Sequence, residues 1–430
     1  MRRVRSAILA MLVAAPGRAA AAACSLEDCF RSAVRRSETL TSDAESIRRA
    51  EEDILQSRAN FHPSADLSAT YTRQDEPGGA LGQSLFPSTQ KTAQISVTQT
   101  LFRGFRAIAT LRQSKAAKEA SIYAWQKAYI QLYEDTAQSY FNVLKGEHDL
   151  RNYDLELKSH RARREQLARM RNFGRAREAD VVAVEASIAG VEASAASARG
   201  VLGSDRATLA FLTGVDGDLP IVDIASAPVR PSEGGIFLTR LDQRPDVKEA
   251  GKTLEAAGYA VTAARGAYFP SVAATGNYYL TRPGAYSDVK WDAQLSLSLP
   301  LFSGGKLRSD TRKAESSRET ERLAYARVSR QATEEIRSLF NVAEAGSEQA
   351  AKLTEASKLY DRYYDLLLKD NQAGIASNVD VMLALATVEQ TRRSLDRAVL
   401  SAHYDAFRLR LASADPELFA QVPGGPDAAR

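Results

Sequence analysis

The sequence predicts a mainly α-helical fold with a membrane β-barrel portion. Three observations carry that prediction: long proline-free blocks, pairs of alternating strands and an internal duplication. The 430-residue chain contains 14 prolines, and none falls between Ser88 and Leu219 or between Leu301 and Asp415. A proline inside a helix costs about 3 kcal/mol. Blocks of this length that are rich in Ala, Glu, Arg and Leu therefore favour long helices.

The duplication is visible as short segments that recur in the same order. Residues 101–104 (Leu-Phe-Arg-Gly) recur as residues 301–304 (Leu-Phe-Ser-Gly). Segments 174–181 and 374–381 share Gly, Asp and Val at equivalent positions. Such a unit is far longer than the period of a solenoid repeat, so we predict two copies of one helix–strand–strand–helix–helix unit.

Each copy contains two strands whose side chains alternate between an apolar and a polar face. The clearest apolar face, which we predict to contact lipid, consists of Trp291, Ala293, Leu295, Leu297 and Leu299. Strands of about 9–11 residues with one apolar and one polar face are what a transmembrane barrel requires. A soluble antiparallel sheet alternates in the same way. The barrel is favoured by two further features, a predicted signal peptide at residues 1–23 and the long helices that flank the strands.

Four strands cannot close a barrel by themselves. An open strand edge in lipid leaves backbone groups unpaired at several kcal/mol each, so one chain cannot span a membrane alone. Several copies must contribute strands to one ring, and closed cyclic symmetry is the natural solution.

The predicted boundaries follow from these elements. The first repeat covers residues 24–214, with strands at about 64–73 and 92–101 and a helical hairpin over 105–213 whose tip lies near residue 174. The second covers residues 245–413, with strands at about 271–281 and 291–299 and a hairpin over 306–411 whose tip lies near residue 374. A proline-containing connector, 215–244, joins them, and we predict residues 414–430 to be a disordered tail.

Residues 1–23 predict a signal peptide. Three arginines within residues 2–5 precede an apolar stretch at 7–15 and an alanine-rich stretch at 19–23. The apolar stretch is shorter than the roughly 20 residues that span a bilayer, so the mature chain is predicted to leave the cytoplasm. The two cysteines, Cys24 and Cys29, lie at the predicted new N-terminus. Three interpretations stay open: lipidation of Cys24, a disulfide between the two, or two incidental thiols.

Composition and motifs argue against several classes of protein. The 57 basic residues nearly balance 53 acidic ones, which does not favour nucleic-acid binding. The four histidines show no metal-ligand spacing. Gly304-Gly305-Lys306 lacks the earlier glycine and the following Ser or Thr of a phosphate loop. We therefore predict no enzyme activity, no cofactor, no metal site and no nucleic-acid partner.

The duplicated unit resembles the outer membrane efflux protein (TolC-like) family. The motifs that carry the resemblance are residues 244–247 (Arg-Pro-Asp-Val), 268–271 (Tyr-Phe-Pro-Ser), 301–305 (Leu-Phe-Ser-Gly-Gly), and Gly374 followed by Asp380-Val381. Each motif alone is weak, but their order and duplication are specific. The resemblance covers about residues 25–412. It implies a homotrimer whose twelve-stranded barrel, set in outer-membrane lipid, stands on a long α-helical periplasmic barrel.

The resemblance also implies a function. The expected protein is an exit duct in the cell outer membrane that extends into the periplasm. It would pass cargo from a periplasmic adaptor protein and an inner-membrane transporter to the outside of the cell. The alternative is a pore-less periplasmic adaptor or coiled-coil scaffold, which would have no reason to duplicate an amphipathic strand pair.

The hairpin tips are the predicted control point. Members of the family often place Tyr, Arg and a second Asp where this chain has Asn371, Ala376 and Leu383, so the family's gating bonds do not carry over. We predict instead a constriction formed by Asp380, Asp180, Arg175 and Arg177, in which Arg175 or Arg177 pairs with Asp380 to hold the tip closed. The predicted adaptor-docking residues are Phe173, Gly174, Ala373, Gly374 and Ile375.

Overall fold

The computed structural model describes residues 23–75, 88–216, 220–223, 235–419 and 422–425. In chain order its main elements are α1 (Leu26–Arg36), α2 (Glu38–Ala59), β1 (Ser64–Arg73), β2 (Thr89–Arg103), α3 (Arg106–Asn172), α4 (Glu178–Thr213), α5 (Pro245–Arg265), β3 (Ser271–Thr281), β4 (Trp291–Ser298), α6 (Lys306–Gln372) and α7 (Asn378–Ala412). The predicted signal peptide, apart from its last residue, lies outside the described residues.

The two longest helices, α3 and α6, each contain 67 residues without a proline. Residues with good helix propensity dominate both, which is why such lengths form. The ends of the shorter helices are set by local capping residues. The Ser37 side chain accepts a hydrogen bond from the Leu40 N–H at the start of α2. Pro245 occupies the first turn of α5, where its missing N–H does no harm.

The chain divides into two compact units, and each unit draws on both repeats. The strand unit comprises the described residues within 37–134, 229–349 and 402–430, and the tip unit comprises those within 1–36, 135–228 and 350–401. The repeats at 24–214 and 245–413 are therefore units of sequence, whereas packing combines equivalent pieces of the two copies.

The strand unit contains an antiparallel sheet in the order β1-β2-β3-β4. β2 is longer than the predicted 92–101, because it pairs with β1 as far as Thr89 and with β3 as far as Arg103. β1 and β4 are the outer strands, and each keeps one unpaired edge within the described sheet.

The helical part of the strand unit has its own apolar core. Ile336 and Leu339 on α6 pack with Leu409 on α7, and Phe237 and Leu238 of the connector cover them. The Trp125 indole N–H donates to the Leu40 carbonyl at 3.2 Å, which ties α3 to α2. These contacts support the helices that continue from the strands.

The predicted disordered tail, 414–430, is ordered in part. Pro416–Phe419 is a short helix that begins with the residue best suited to a first helical turn. Farther along, the Pro423 carbonyl accepts a hydrogen bond from the Gln126 side chain at 3.1 Å. The prediction was wrong for these residues because this packing is not visible in the local composition.

The tip unit contains the far ends of both helical hairpins. Leu167 of α3 is buried against Val181 and Val184 of α4. By length and composition α4 could cross a membrane. At the N-terminal end of the unit, the Cys24 N–H donates to the Pro220 carbonyl at 2.9 Å. Both cysteines are free and buried in the structure, and burial raises the pKa of the Cys29 thiol.

Candidate channel-forming surfaces and hairpin tips

One face of the sheet is apolar and exposed. Trp291 is 66% exposed, Leu295 70% and Leu297 71%. The register places Leu295 opposite Ala274, and Leu297 opposite Val272, so the apolar side chains of β3 and β4 form one surface. Ala293 is exposed within β4, and Leu299 is exposed one residue beyond it. An exposed apolar surface of this kind marks an interaction with lipid or another protein.

The opposite face of the sheet is polar. The Thr98 and Thr275 hydroxyls lie 3.4 Å apart across β2 and β3. The Asn277 side chain donates to the Asp292 carboxylate at 2.8 Å across β3 and β4. The sheet therefore separates an apolar surface from a hydrogen-bonding surface, as a wall between lipid and water requires.

Gln99 is the one polar residue that interrupts the apolar alternation of β2. Its side-chain amide donates to the Thr100 carbonyl at 2.8 Å and to the Phe61 carbonyl at 3.3 Å. A register irregularity follows between Thr100 and Phe102, and it brings Phe102 opposite Val272. Regular alternation along β2 would put Leu101 on the apolar face. A bulge adds one unpaired residue to a strand, and alternation in the sequence does not show where it occurs.

The strand-to-helix turns of the two copies have the same backbone shape. Gly104 and Gly304 have φ angles of 60° and 59°. The following residue is Phe105, with φ 60°, in the first copy and Gly305, with φ 84°, in the second. Phe105 is held in this conformation, which is unfavourable for a residue with a Cβ. Its ring contacts Phe102 edge-on, with centroids 5.2 Å apart.

The two hairpin tips also match. Gly174 and Gly374 have φ angles of 70° and 80°, as glycines that end helices usually do. Phe173 is 81% exposed and Ile375 is 79% exposed. Ala373 and the two glycines are exposed as well. All the residues predicted to dock an adaptor are therefore accessible in the tip unit.

The predicted gate residues lie at the starts of the return helices. The Asp180 carboxylate is buried and accepts from the Arg177 backbone N–H and guanidinium, both at 3.0 Å. The bond from Arg177 is the main reason that the pKa of Asp180 is lowered. The exposed Asp380 carboxylate accepts from the Ser377 N–H at 3.0 Å and its hydroxyl at 2.6 Å. These bonds lower the pKa of Asp380. Within this chain Arg177 therefore contacts Asp180 rather than Asp380.

Most of the arginines near the first tip pair with a carboxylate of their own hairpin, either across it or along one helix. Arg161 bonds to Glu192 at 3.0 Å, and Arg164 bonds to Glu185 at 2.8 Å. Both pairs are solvent-exposed, and such pairs contribute at most about 1 kcal/mol. The exposed Arg175 has no ion-pair partner among the residues that the structure describes. The arginine run is thus mainly a solvated surface.

Arg163 is the exception, and sequence reasoning gave it no separate role. It is 3% exposed, and its guanidinium donates to the side-chain oxygens of Asn371 at 2.9 Å and Asn378 at 2.5 Å. Burial lowers the pKa of Arg163. The Asn371 amide in turn donates to the Ala376 carbonyl at 2.9 Å. Asn371 and Ala376, where the chain departs from the family pattern, thus form a different contact that joins the second tip to α3.

A polar ladder between α3 and α7 was also missed. It consists of Asp149, Asn152 and Glu156 on α3 and Arg397, Asp396 and Arg393 on α7. Asp149 pairs with Arg397 at 2.7 Å, and Asn152 donates to Asp396 at 2.7 Å. The α3 residues step by three and four, and Asp396 and Arg397 lie three and four residues after Arg393 on α7, so each set forms one stripe. That spacing is the one feature of the sequence that could have indicated the ladder, but polar residues on a solvent-exposed helix face show the same spacing.

Glu156 of the ladder and Glu389, a carboxyl close enough to interact with it, have pKa values shifted in opposite directions. Burial alone raises the pKa of Glu156, but its bonds to His160 and the charge of Arg393 outweigh burial and leave that pKa lowered. Glu389 is 1% exposed, and burial raises its pKa. Glu156 therefore supplies the negative charge that Arg393 neutralises. Across the described ranges, no group of three or more His, Cys, Asp or Glu side chains is arranged to hold a metal ion.

Comparison with known proteins agrees with this geometry. The structure of VceC from Vibrio cholerae, an outer membrane protein, has a TM-score of 0.78 at 19% identity, and the match covers 90% of this chain and 95% of that one. Nodulation protein T of Rhizobium leguminosarum bv. trifolii is 22% identical over 365 residues, 83% of this chain and 78% of that protein. The toluene efflux pump outer membrane protein TtgC of Pseudomonas putida is 24% identical over 194 residues. That match spans 44% of this chain and only 40% of TtgC.

The fold is that of an outer-membrane channel of the TolC type, mainly helical with a small sheet. The outer membrane efflux protein family matches residues 30–215 and 239–414, which together make up most of the chain. The chain therefore belongs to the outer membrane efflux protein family, and it is a protein of the outer membrane with a periplasmic extension.

Proposed function

We propose that three copies of this chain form an exit duct without catalytic activity of its own. The observation that carries the proposal is the open amphipathic sheet, whose outer strands β1 and β4 each keep an unpaired edge. An unpaired edge is not tolerated in lipid. Pairing β4 of one copy with β1 of the next removes every such edge, and three copies supply twelve strands.

The two faces of the sheet indicate which side of the barrel would face lipid and which would face the lumen. The face with Leu295 and Leu297 would contact lipid, and the face with Asp292 and Gln294 would line a water-filled lumen. The long helices α3 and α6 would then continue the duct into the periplasm. We propose that the exposed residues Phe173 and Ile375 at the tips dock a periplasmic adaptor, through which an inner-membrane transporter delivers cargo.

The barrel proposal predicts an asymmetry between the faces of β4. Leu295→Arg is expected to destabilise the assembled barrel by about 2–4 kcal/mol per chain, because it moves a charge into the bilayer midplane. Gln294→Arg, one residue away on the polar face, is expected to assemble like the parent. The measurement is the yield of heat-modifiable trimer in detergent extracts of the outer membrane. Equal yields for the two variants would rule out a spanning strand.

The tip residues lead to a second prediction about closure. Symmetry would gather three exposed Asp380 carboxylates around one axis, and we propose that Arg175 or Arg177 of a neighbouring copy pairs with them. Each pair is weak, so closure requires the whole ring. Asp380→Asn keeps an oxygen that can cap α7 but removes the charge. It is expected to reduce cation selectivity in single-channel recordings.

The combined change of Arg175→Ala and Arg177→Ala is expected to raise the conductance of the same channels, because it removes the cationic side of every pair. Arg161→Ala is the matched control, since Arg161 is another cation of the first hairpin but pairs with Glu192 between the two helices rather than lying at the tip turn. If the Asp380 and double-arginine variants both conduct like the parent, Asp380 only starts a helix and closure lies elsewhere.

The alternative, a pore-less periplasmic adaptor or scaffold, is not favoured by the family match. The same recordings distinguish it: purified trimer that inserts into planar bilayers and conducts supports a duct, whereas a soluble oligomer without conductance supports a scaffold.

A further inference from the structure

The hairpin between β3 and β4 carries a cluster of charged and aromatic side chains around Asp292, and the pairing within this cluster has no role in the function proposed above. The Arg282 guanidinium, just beyond β3, lies 4.1 Å from the centroid of the Tyr279 ring and 5.1 Å from that of Tyr286. Its Nη1 atom lies 3.7 Å from the Asp292 carboxylate. Only 24% of the Arg282 side chain is exposed. The arginine is therefore folded back over the end of the sheet between two rings and a carboxylate.

The Asp292 carboxylate is held in place from two sides. The Asn277 amide donates to one of its oxygens at 2.8 Å, and the Tyr279 hydroxyl donates to the other at 2.8 Å. Asn277 and Asp292 are register partners on the polar face of the sheet. Two neutral donors and one cation thus fix a single carboxylate on the face that would line the lumen.

A hairpin that needed only a stable turn would not require this arrangement. Gly284 already turns the chain with a φ of 78°, and the Ser287 N–H donates to its carbonyl at 3.1 Å. An exposed stacking contact between an arginine and a tyrosine adds only about 0.5–1 kcal/mol. What the cluster does achieve is to place a fixed negative charge and its neutralising positive charge together at the strand ends.

We propose that Arg282 and Asp292 set the charge selectivity of the duct at the β3–β4 end of its barrel. In a trimer three such pairs surround the lumen, and rings of charged side chains select ions by sign. Arg282 masks the three carboxylates, so the ring discriminates little between cationic and anionic solutes. This inference rests on the proposed trimeric duct.

The test is the reversal potential of purified trimers in planar bilayers under a KCl gradient. Arg282→Gln leaves three unmasked carboxylates and is expected to shift the reversal potential toward that of potassium. Asp292→Asn leaves three unmatched guanidiniums and is expected to shift it toward that of chloride. Combining Arg282→Gln with Asp292→Asn is expected to return it to the parent value.

Arg73→Gln is the matched control, because it removes the same charge from the strand end of β1 on the face that carries Leu67 and Tyr71. It is expected to leave the reversal potential unchanged. If the two single variants keep the parent's reversal potential and lose only trimer heat stability, the cluster is a structural staple and the inference is overturned. A parent protein that forms no conducting trimer would refute the proposed duct instead. Should Arg282→Gln fail to assemble, the opposite shift of Asp292→Asn decides by itself.

Discussion

Gly104→Ala is expected to prevent recovery of folded protein, whereas Gly304→Ala is expected to be tolerated. Both glycines have a left-handed backbone, with φ near 60°, at equivalent strand-to-helix turns. That conformation costs an alanine roughly 1–2 kcal/mol at either position. The two sites differ in their surroundings. A Cβ at Gly104 would lie 2.0 Å from the Gly266 carbonyl oxygen, and a Cβ at Gly304 meets no atom within 4 Å.

The clash at Gly104 cannot be relieved by a side-chain movement, because the obstructing atom belongs to the backbone. Gly266 faces Gly104 in the same way, with its own added Cβ only 2.4 Å from the Gly104 carbonyl oxygen. The loss at Gly104 is therefore expected to exceed about 4 kcal/mol, in the range of the most damaging single substitutions. The measurement is the yield of folded, detergent-purified protein for each variant, followed by thermal unfolding of whatever is recovered. Similar melting temperatures for the two would show that the turn can separate from Gly266.

Arg244→Met is expected to lower the free energy of unfolding by about 3 kcal/mol, because it leaves two carboxylates without the buried cation that they share. The Arg244 side chain is 12% exposed and bonds to Asp246 at 2.8 Å and to Glu335 at 2.7 Å. It also donates to the Ala412 carbonyl at 2.9 Å, which joins α5, α6 and α7 within the strand unit. Glu335 keeps 42% exposure, so solvent recovers part of the loss.

The matched control for Arg244→Met is Arg265→Met. Arg265 pairs with Glu315 at 2.7 Å, but both side chains are largely exposed. The expected loss is below about 1 kcal/mol, measured by denaturant unfolding at neutral pH. Equal losses for the two variants would contradict the buried role of Arg244.

The effect of Arg244 should also depend on pH with a defined sign. Burial raises the pKa of Asp246, but the bonds from Arg244 outweigh burial and leave that pKa lowered. A carboxyl with a lowered pKa stabilises the fold above its unfolded pKa, and that stabilisation is lost as pH falls through the folded pKa. The difference between parent and Arg244→Met is therefore expected to shrink on acidification.

The periodic elements of this protein could be predicted from its sequence. Proline-free blocks indicated α3 and α6, and strict alternation indicated β4, because helix and strand periods are properties of a local stretch of chain. The duplication indicated equivalent turns at Gly174 and Gly374, because a turn also depends on a short stretch of chain. These features need no knowledge of what packs against what.

The partners of the charged residues could not be predicted. Arg163 and Arg164 are neighbours in the sequence, yet Arg163 is buried against Asn371 and Asn378 while Arg164 pairs with Glu185 on the surface. One residue along a helix turns the side chain by about 100°. Whether that direction meets water or another helix depends on packing.

The sequence by itself determined where helices, strands and tight turns form, and that the strands carry one apolar and one polar face. Only the tertiary structure decided that Arg163 is buried against Asn371, that Gln99 donates to the Phe61 carbonyl, and that Gly104 but not Gly304 is closely packed. The physical reason is the range of the interactions. Periodicity and turn preference act over a few residues, whereas these contacts depend on register and distance between segments far apart in the chain.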